Sequence, residues 1–158
     1  MNLGSAEFHG VECEGKYYFH SNLLVMGSAL YQTNRDGAGN GNVTPVANFA
    51  SKAGVSYESP HAFTVSLFDV YQGPLHGYPS AINPAPGAYH LLNSHLRYDL
   101  SRRLRASAKT GLAVVVHGDN LANQAVWLPG WGGASGDSVF SNRGRTIYFG
   151  LEVVMRKD

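Results

Sequence analysis

The sequence predicts an all-β chain: an antiparallel up-and-down meander of about seven long strands forming part of a transmembrane β-barrel. Three observations carry that expectation. Apolar and polar residues alternate with a period of two over long stretches, and no stretch holds a helical three–four repeat. Tight and long connections alternate strictly along the chain. Charged residues are only 15% of the chain, below the roughly 25% usual in soluble domains, while Gly is abundant at 19 and Tyr and Phe together outnumber Lys and Arg.

The strands are expected near 6–19, 22–33, 46–59, 62–72, 88–100, 104–120 and 145–155. In the first, Val11, Cys13, Gly15, Tyr17 and Phe19 alternate with Glu12, Glu14, Lys16 and Tyr18. In the fourth, Phe63, Val65 and Leu67 alternate with Thr64 and Ser66. The fifth opposes His90, Leu92, Ser94, Leu96, Tyr98 and Leu100 to Leu91, Asn93, His95, Arg97 and Asp99, one face mostly apolar and the other mostly polar. The last opposes Ile147, Phe149, Leu151 and Val153 to Thr146, Tyr148, Gly150 and Glu152. Such strands exceed the ~5–6 residues usual in globular proteins and reach the ~9–11 that cross a bilayer at a tilt.

His20-Ser21, Ser59-Pro60-His61 and Ser101-Arg102-Arg103 read as tight turns. Asn34–Pro45, Gly73–Gly87 and Ala122–Gly144 read as long loops, rich in the Gly, Asn and Pro that suit irregular backbone. Outer-membrane barrels have this arrangement, with short periplasmic turns on one rim and long extracellular loops on the other. The last strand then descends to the periplasmic side. Tyr17, Tyr18, Phe19, Tyr31, Tyr57, Tyr71, Tyr89 and Tyr98 fall near strand ends, where interfacial girdles form.

Other classes are excluded or left without a signal. A net charge of +1 without a clustered basic surface gives no nucleic-acid footprint. The longest apolar runs, Leu112–Val116 and Leu23–Met26, fall far below the ~18 residues of a spanning helix. A mean hydropathy of −0.17 suits a barrel or a soluble β domain. The lone Cys13 allows no internal disulfide framework and no multi-cysteine metal site. Met1-Asn2-Leu3-Gly4 opens without the basic and apolar regions of a signal peptide, so an outer-membrane location implies a truncation or fragment.

Three pieces of sequence resemble the C-terminal region of TonB-dependent outer-membrane receptors. Gly10-Val11-Glu12-Cys13-Glu14-Gly15 followed by Gly27-Ser28-Ala29-Leu30-Tyr31 resembles the family hairpin written G-x-E-x-E and GSxxY. Asp119-Asn120-Leu121-Ala122-Asn123 resembles the turn that closes the penultimate strand. Arg143-Gly144-Arg145-Thr146-Ile147-Tyr148-Phe149-Gly150-Leu151 resembles the opening of the last strand. Their order and spacing cover nearly the whole chain, so residues 1–158 are expected to be the C-terminal segment of such a barrel. The resemblance implies a parent that imports ferric siderophores, cobalamin, haem or glycans, driven by the TonB complex acting on a plug domain. Family barrels have about 22 strands with a plugged lumen. The plug and the other strands are absent here, so the chain is expected to contact the TonB complex only through that absent plug. Its implied partners are outer-membrane lipid, the parent's missing strands and plug, and the barrel-assembly machinery. Met155 stands where the family carries the aromatic that this machinery reads.

No sequence motif points to catalysis, a cofactor or a metal. His90 and His95 differ in parity and face opposite sides of a strand. His117 and Asp119 share a face, as a His–carboxylate pair or simply as a strand entering a turn. Glu12, Glu14 and Lys16 suit either acid–base work or a polar lumen. Arg102, Arg103 and Arg105 would reach lipid headgroups at the periplasmic rim. The candidate ligand-binding residues are Trp127 and Trp131, placed either to stack on a sugar or aromatic chelator or to pack the last long loop on itself. Two rival readings remain, a small porin-like pore that could pool strands between copies and a soluble β-sandwich binding module.

Overall fold

The structure is a computed structural model that describes residues 5–77, 84–101, 110–130 and 138–155. Seven strands form one antiparallel sheet in chain order: β1 (Ala6–Phe19), β2 (Leu23–Asp36), β3 (Phe49–Glu58), β4 (Phe63–Gln72), β5 (Tyr89–Asp99), β6 (Thr110–Asp119) and β9 (Thr146–Met155). A small hairpin, β7 (Trp127–Pro129) with β8 (Ser138–Phe140), stands in the connection before β9. The described strands therefore make one curved layer, the expected meander, and not the two packed sheets of a sandwich. β1 and β9 are the two edges, each with a neighbour on one side only among the described residues.

The observed strands agree with the alternation, with three differences. β3 starts at Phe49 rather than near 46, Ala47 forming only an isolated bridge to Leu75. β2 runs to Asp36 rather than ending near residue 33, because β1 and β2 stay paired through Ala6↔Asp36. The expected single loop over 122–144 contains the β7–β8 hairpin, whose three-residue strands are too short to leave a period in the sequence. The turn at Arg102-Arg103, the strand start over 104–109 and Arg105 lie outside the described residues, as do Trp131 and parts of two long loops.

Register resolves the sheet into two faces. One carries odd positions in β1–β4 and β9 and even positions in β5 and β6, the parity changing where Phe63 pairs with Tyr98 and Leu112 with Val153. Among residues of the seven-stranded sheet, every large exposed apolar side chain except Phe8, Tyr18, Tyr148 and Val154 belongs to this face. Phe149 at 79% exposed and Leu151 at 74% are left largely uncovered. An apolar face this extensive exceeds what a water-soluble surface carries.

Aromatic rings bound it at both ends. On the tight-turn side, Tyr17 meets Phe19 with ring centroids 4.5 Å apart, and Tyr57 meets Phe63 at 6.0 Å. Tyr98 sits opposite Phe63 in the same row. On the long-loop side, Phe49 meets Tyr71 at 5.9 Å, with Tyr31 in register with Phe49. Within β3, Phe49 and Tyr57 are eight residues apart, roughly 27 Å along the strand. Two of the eight expected girdle residues are corrected by register: Tyr18 and Tyr89 are on the opposite face, where Tyr89 Oη donates to Gln72 Oε1 at 2.9 Å. Parity near a strand end, and not proximity to the end alone, decides girdle membership.

The two aromatic ends differ in their connections. At the tight turns, His20 and Ala62 take left-handed φ of 64° and 78°. At the other end the long loops pack on one another. Ala47 bridges Leu75, both nearly buried, and Gly73 N donates to Phe49 O at 2.9 Å. Asn34, 1% exposed, accepts Thr44 N on its side-chain oxygen.

Candidate functional site

The polar face holds cross-strand rows of side chains able to bond or titrate. Ser66 pairs with His95, His95 with His117, and His117 with Tyr148, so one row runs across β4, β5, β6 and β9. Its ring centroids are 6.2 Å apart for His95–His117 and 6.3 Å for His117–Tyr148. His117 Nε2 lies 2.8 Å from Asp119 Oδ1, the pairing that is one of the two readings their shared parity allows. Ser56 and Ser66 continue the row with hydroxyls 2.8 Å apart. One row nearer the tight turns, Arg97 donates through Nε and Nη2 to the two oxygens of Glu152 at 3.1 and 3.3 Å. That fork reaches over β6, where Ala113, in register with Glu152, is fully buried. His90 is on the apolar face, where its Nδ1 meets Asp69 Oδ2 at 2.9 Å beside the Tyr71 ring. The parity argument that separates His90 from His95 therefore holds.

At the long-loop end of this row, a cleft of about 340 Å³ opens between β5, β6 and β9. Its walls include Asn93, Asp119, Arg143, Thr146 and Tyr148. Asparagines fix its rim. Asn120, 4% exposed with φ of 48°, donates its side-chain amide to Gln124 O and Arg143 O and accepts Gln124 N on Oδ1. Its own N–H donates to Asn93 Oδ1 at 2.9 Å. Asn123, at φ 54°, accepts Arg145 N at 2.9 Å, and Arg145 Nε donates to Leu121 O at 2.8 Å. Asn142 receives Val126 N and donates to Gln124 O, rooting the β7–β8 hairpin at the same place. Asn tolerates left-handed backbone better than other side-chain-bearing residues, which suits Asn120 and Asn123 to this corner. A Cβ at Gly144 would stand 2.8 Å from Asn123 Oδ1 and would press on the oxygen that accepts Arg145 N. The turn around Asn120 and the segment around Gly144, widely separated in sequence, are thus one hydrogen-bonded knot.

The arrangement gives the cleft a carboxylate acceptor (Asp119), a guanidinium (Arg143), an amide (Asn93) and a phenol ring (Tyr148), all carried by backbone held in register or in the knot. Among the described residues no group of three or more His, Cys, Asp and Glu is placed to hold a metal. Of the sequence candidates, Trp127 packs on Phe140 across the hairpin with centroids 5.2 Å apart and is half-buried. Trp131 lies outside the described residues. Asn93, Arg143 and Tyr148 carry no motif that marks them in the sequence as site residues. Parity in β5 and β9 put Asn93 and Tyr148 on the polar face, but only register brings them around one opening.

No protein-family model matches the chain, and no curated protein matches it. A solved structure does: a β-barrel receptor chain from the "Structure of the FpvAI-pyocin S2 complex" superposes with a TM-score of 0.71 over 92% of this chain at 17% identity. The fold is that of a β-barrel wall. At this identity the likeness concerns the fold alone. The match covers 19% of that chain, so the sheet corresponds to about a fifth of its length.

Proposed function

We propose that the chain is a stretch of the wall of an outer-membrane transport barrel of the TonB-dependent receptor type, whose parent takes up a scarce ligand such as a siderophore or cobalamin. Its role is non-enzymatic: it separates lipid from lumen and offers part of the lumen lining. The observation that carries this reading is the two-faced sheet, apolar between two aromatic girdles on one side and polar on the other. Long loops gathered beyond one girdle and tight turns beyond the other support the orientation, loops outward and β9 descending to the periplasm.

Strand direction supports a parent's strands as the partners at the edges. Seven antiparallel strands leave β1 and β9 running the same way. Identical copies set edge to edge in one membrane orientation would pair β9 with β1 in parallel, against the antiparallel pairing of bacterial barrels. Antiparallel closure needs an ascending strand from elsewhere at each edge. This weighs against a pore made by pooling identical copies. Energy coupling through TonB belongs to the parent's plug, and insertion to the assembly machinery.

The test is fractionation. Produced behind an export signal in a Gram-negative host, the chain should sediment with outer membranes and resist extraction by alkali and urea. Recovery as a monodisperse, detergent-free monomer would contradict the reading.

A further inference from the structure

We propose that the cleft between β5, β6 and β9 is a carbohydrate-binding subsite, which names a ligand class for the lumen wall and rests on the barrel reading above. A sugar presents vicinal hydroxyls, each a donor and an acceptor, around a ring with an apolar C–H face. It therefore selects planar polar side chains with donors and acceptors side by side, together with an exposed aromatic face. The cleft has these parts. Tyr148 is 46% exposed on the polar face and offers its ring. Asp119 meets His117 through Oδ1, and its side chain is 45% exposed, leaving Oδ2 to accept from a hydroxyl. Asn93 uses its side-chain oxygen on Asn120 N, which turns its amide into a donor for the cleft. Arg143 is a further lining residue, its backbone carbonyl held by Asn120.

Charge argues for the class. Asp119 and Arg143, of opposite sign, both line the opening, so its lining is mixed in charge. A strongly anionic ligand would meet Asp119 and a strongly cationic one Arg143, whereas an uncharged polyol bonds to both without repulsion. The volume of about 340 Å³ suits one or two sugar rings. The rim needs little reorganisation on binding, because the asparagine knot already satisfies its backbone, and a preorganised site loses less entropy to its ligand.

The experiment applies the full chain, folded in detergent micelles, to a printed array of defined oligosaccharides and titrates the strongest hit by isothermal calorimetry. Asp119→Asn and Tyr148→Ala are each expected to weaken binding about tenfold or more, and Tyr148→Trp to restore most of the loss. Leu151→Ala, on the opposite face, is expected to leave affinity unchanged. Absence of any glycan hit, or binding indifferent to both cleft variants, would overturn the proposal. Lipid insertion measured on the same protein separates the two readings. A chain that inserts but binds no glycan loses only the ligand class, and one that binds glycan through the cleft yet does not insert loses only the barrel-wall reading.

Discussion

At the residue scale, Asn120 concentrates more structure than any other described side chain at the long-loop end. Its amide bonds two carbonyls, its oxygen accepts a backbone N–H, and its backbone is left-handed. Asn120→Ala removes all three bonds at a part-buried corner where Gln124 and Arg143 are themselves exposed. The expected cost is about 1–3 kcal/mol, the lost hydrogen bonds plus left-handed strain on the new residue. Urea unfolding in detergent should show it as a lower midpoint with an unchanged slope. Asp36 offers a pH handle beyond the Tyr31 girdle. Its carboxylate accepts from the Asn40 side chain at 2.7 Å, Asn40 N at 2.8 Å and Ala38 N at 2.9 Å, which hold its pKa below the ordinary carboxylate value. A depressed pKa means that the turn's stabilisation is full above the ordinary carboxylate range and fades as pH falls through the lowered value. Protection of the Ala38 and Asn40 amides relative to their intrinsic exchange rates should therefore fall on acidification below about pH 4, and Asp36→Asn should flatten that response.

Among elements, the strands were legible in the sequence because a half-buried strand writes its two faces into alternate positions. Leu92, Leu96 and Tyr98 against Asn93, His95 and Arg97 in β5, and Phe149 and Leu151 against Tyr148 and Glu152 in β9, carry that record plainly. What alternation does not record is which residues of two strands meet. The Ser66–His95–His117–Tyr148 row and the Arg97–Glu152 fork depend on register, and register depends on turn lengths and long-range pairing. The β7–β8 hairpin escaped notice for a different reason, three-residue strands ending on Pro129. The faces themselves are open to test. Leu151→Arg puts a charge on the apolar face in mid-strand and should cost about 2–4 kcal/mol of folding free energy in lipid. Val115→Arg, on the polar face beside Arg97, should cost far less in insertion, its burden being local repulsion. Comparable losses of insertion yield for the two variants would argue against the assignment of faces.

For the whole molecule, the account reduces to one sheet, two environments and two open edges. The apolar area left uncovered on Phe149, Leu151, Val153 and Met155 is too large for a chain at rest in water, and unpaired edges on β1 and β9 add a tendency to associate. The meander and its two-faced character followed from alternation and connection length. The cleft did not, because it is assembled from three strands and a loop that only the folded sheet brings together. The measurement that tests the central claim most directly is fluorescence of a polarity-sensitive thiol dye in vesicles containing brominated lipids. The dye is placed on the native Cys13, which is on the apolar face, and on Cys13→Ser variants carrying Leu151→Cys or Val115→Cys. The account predicts blue-shifted, lipid-quenched emission at positions 13 and 151, and water-like, unquenched emission at 115. Equal quenching on both faces, or water-like emission at all three positions, would contradict it.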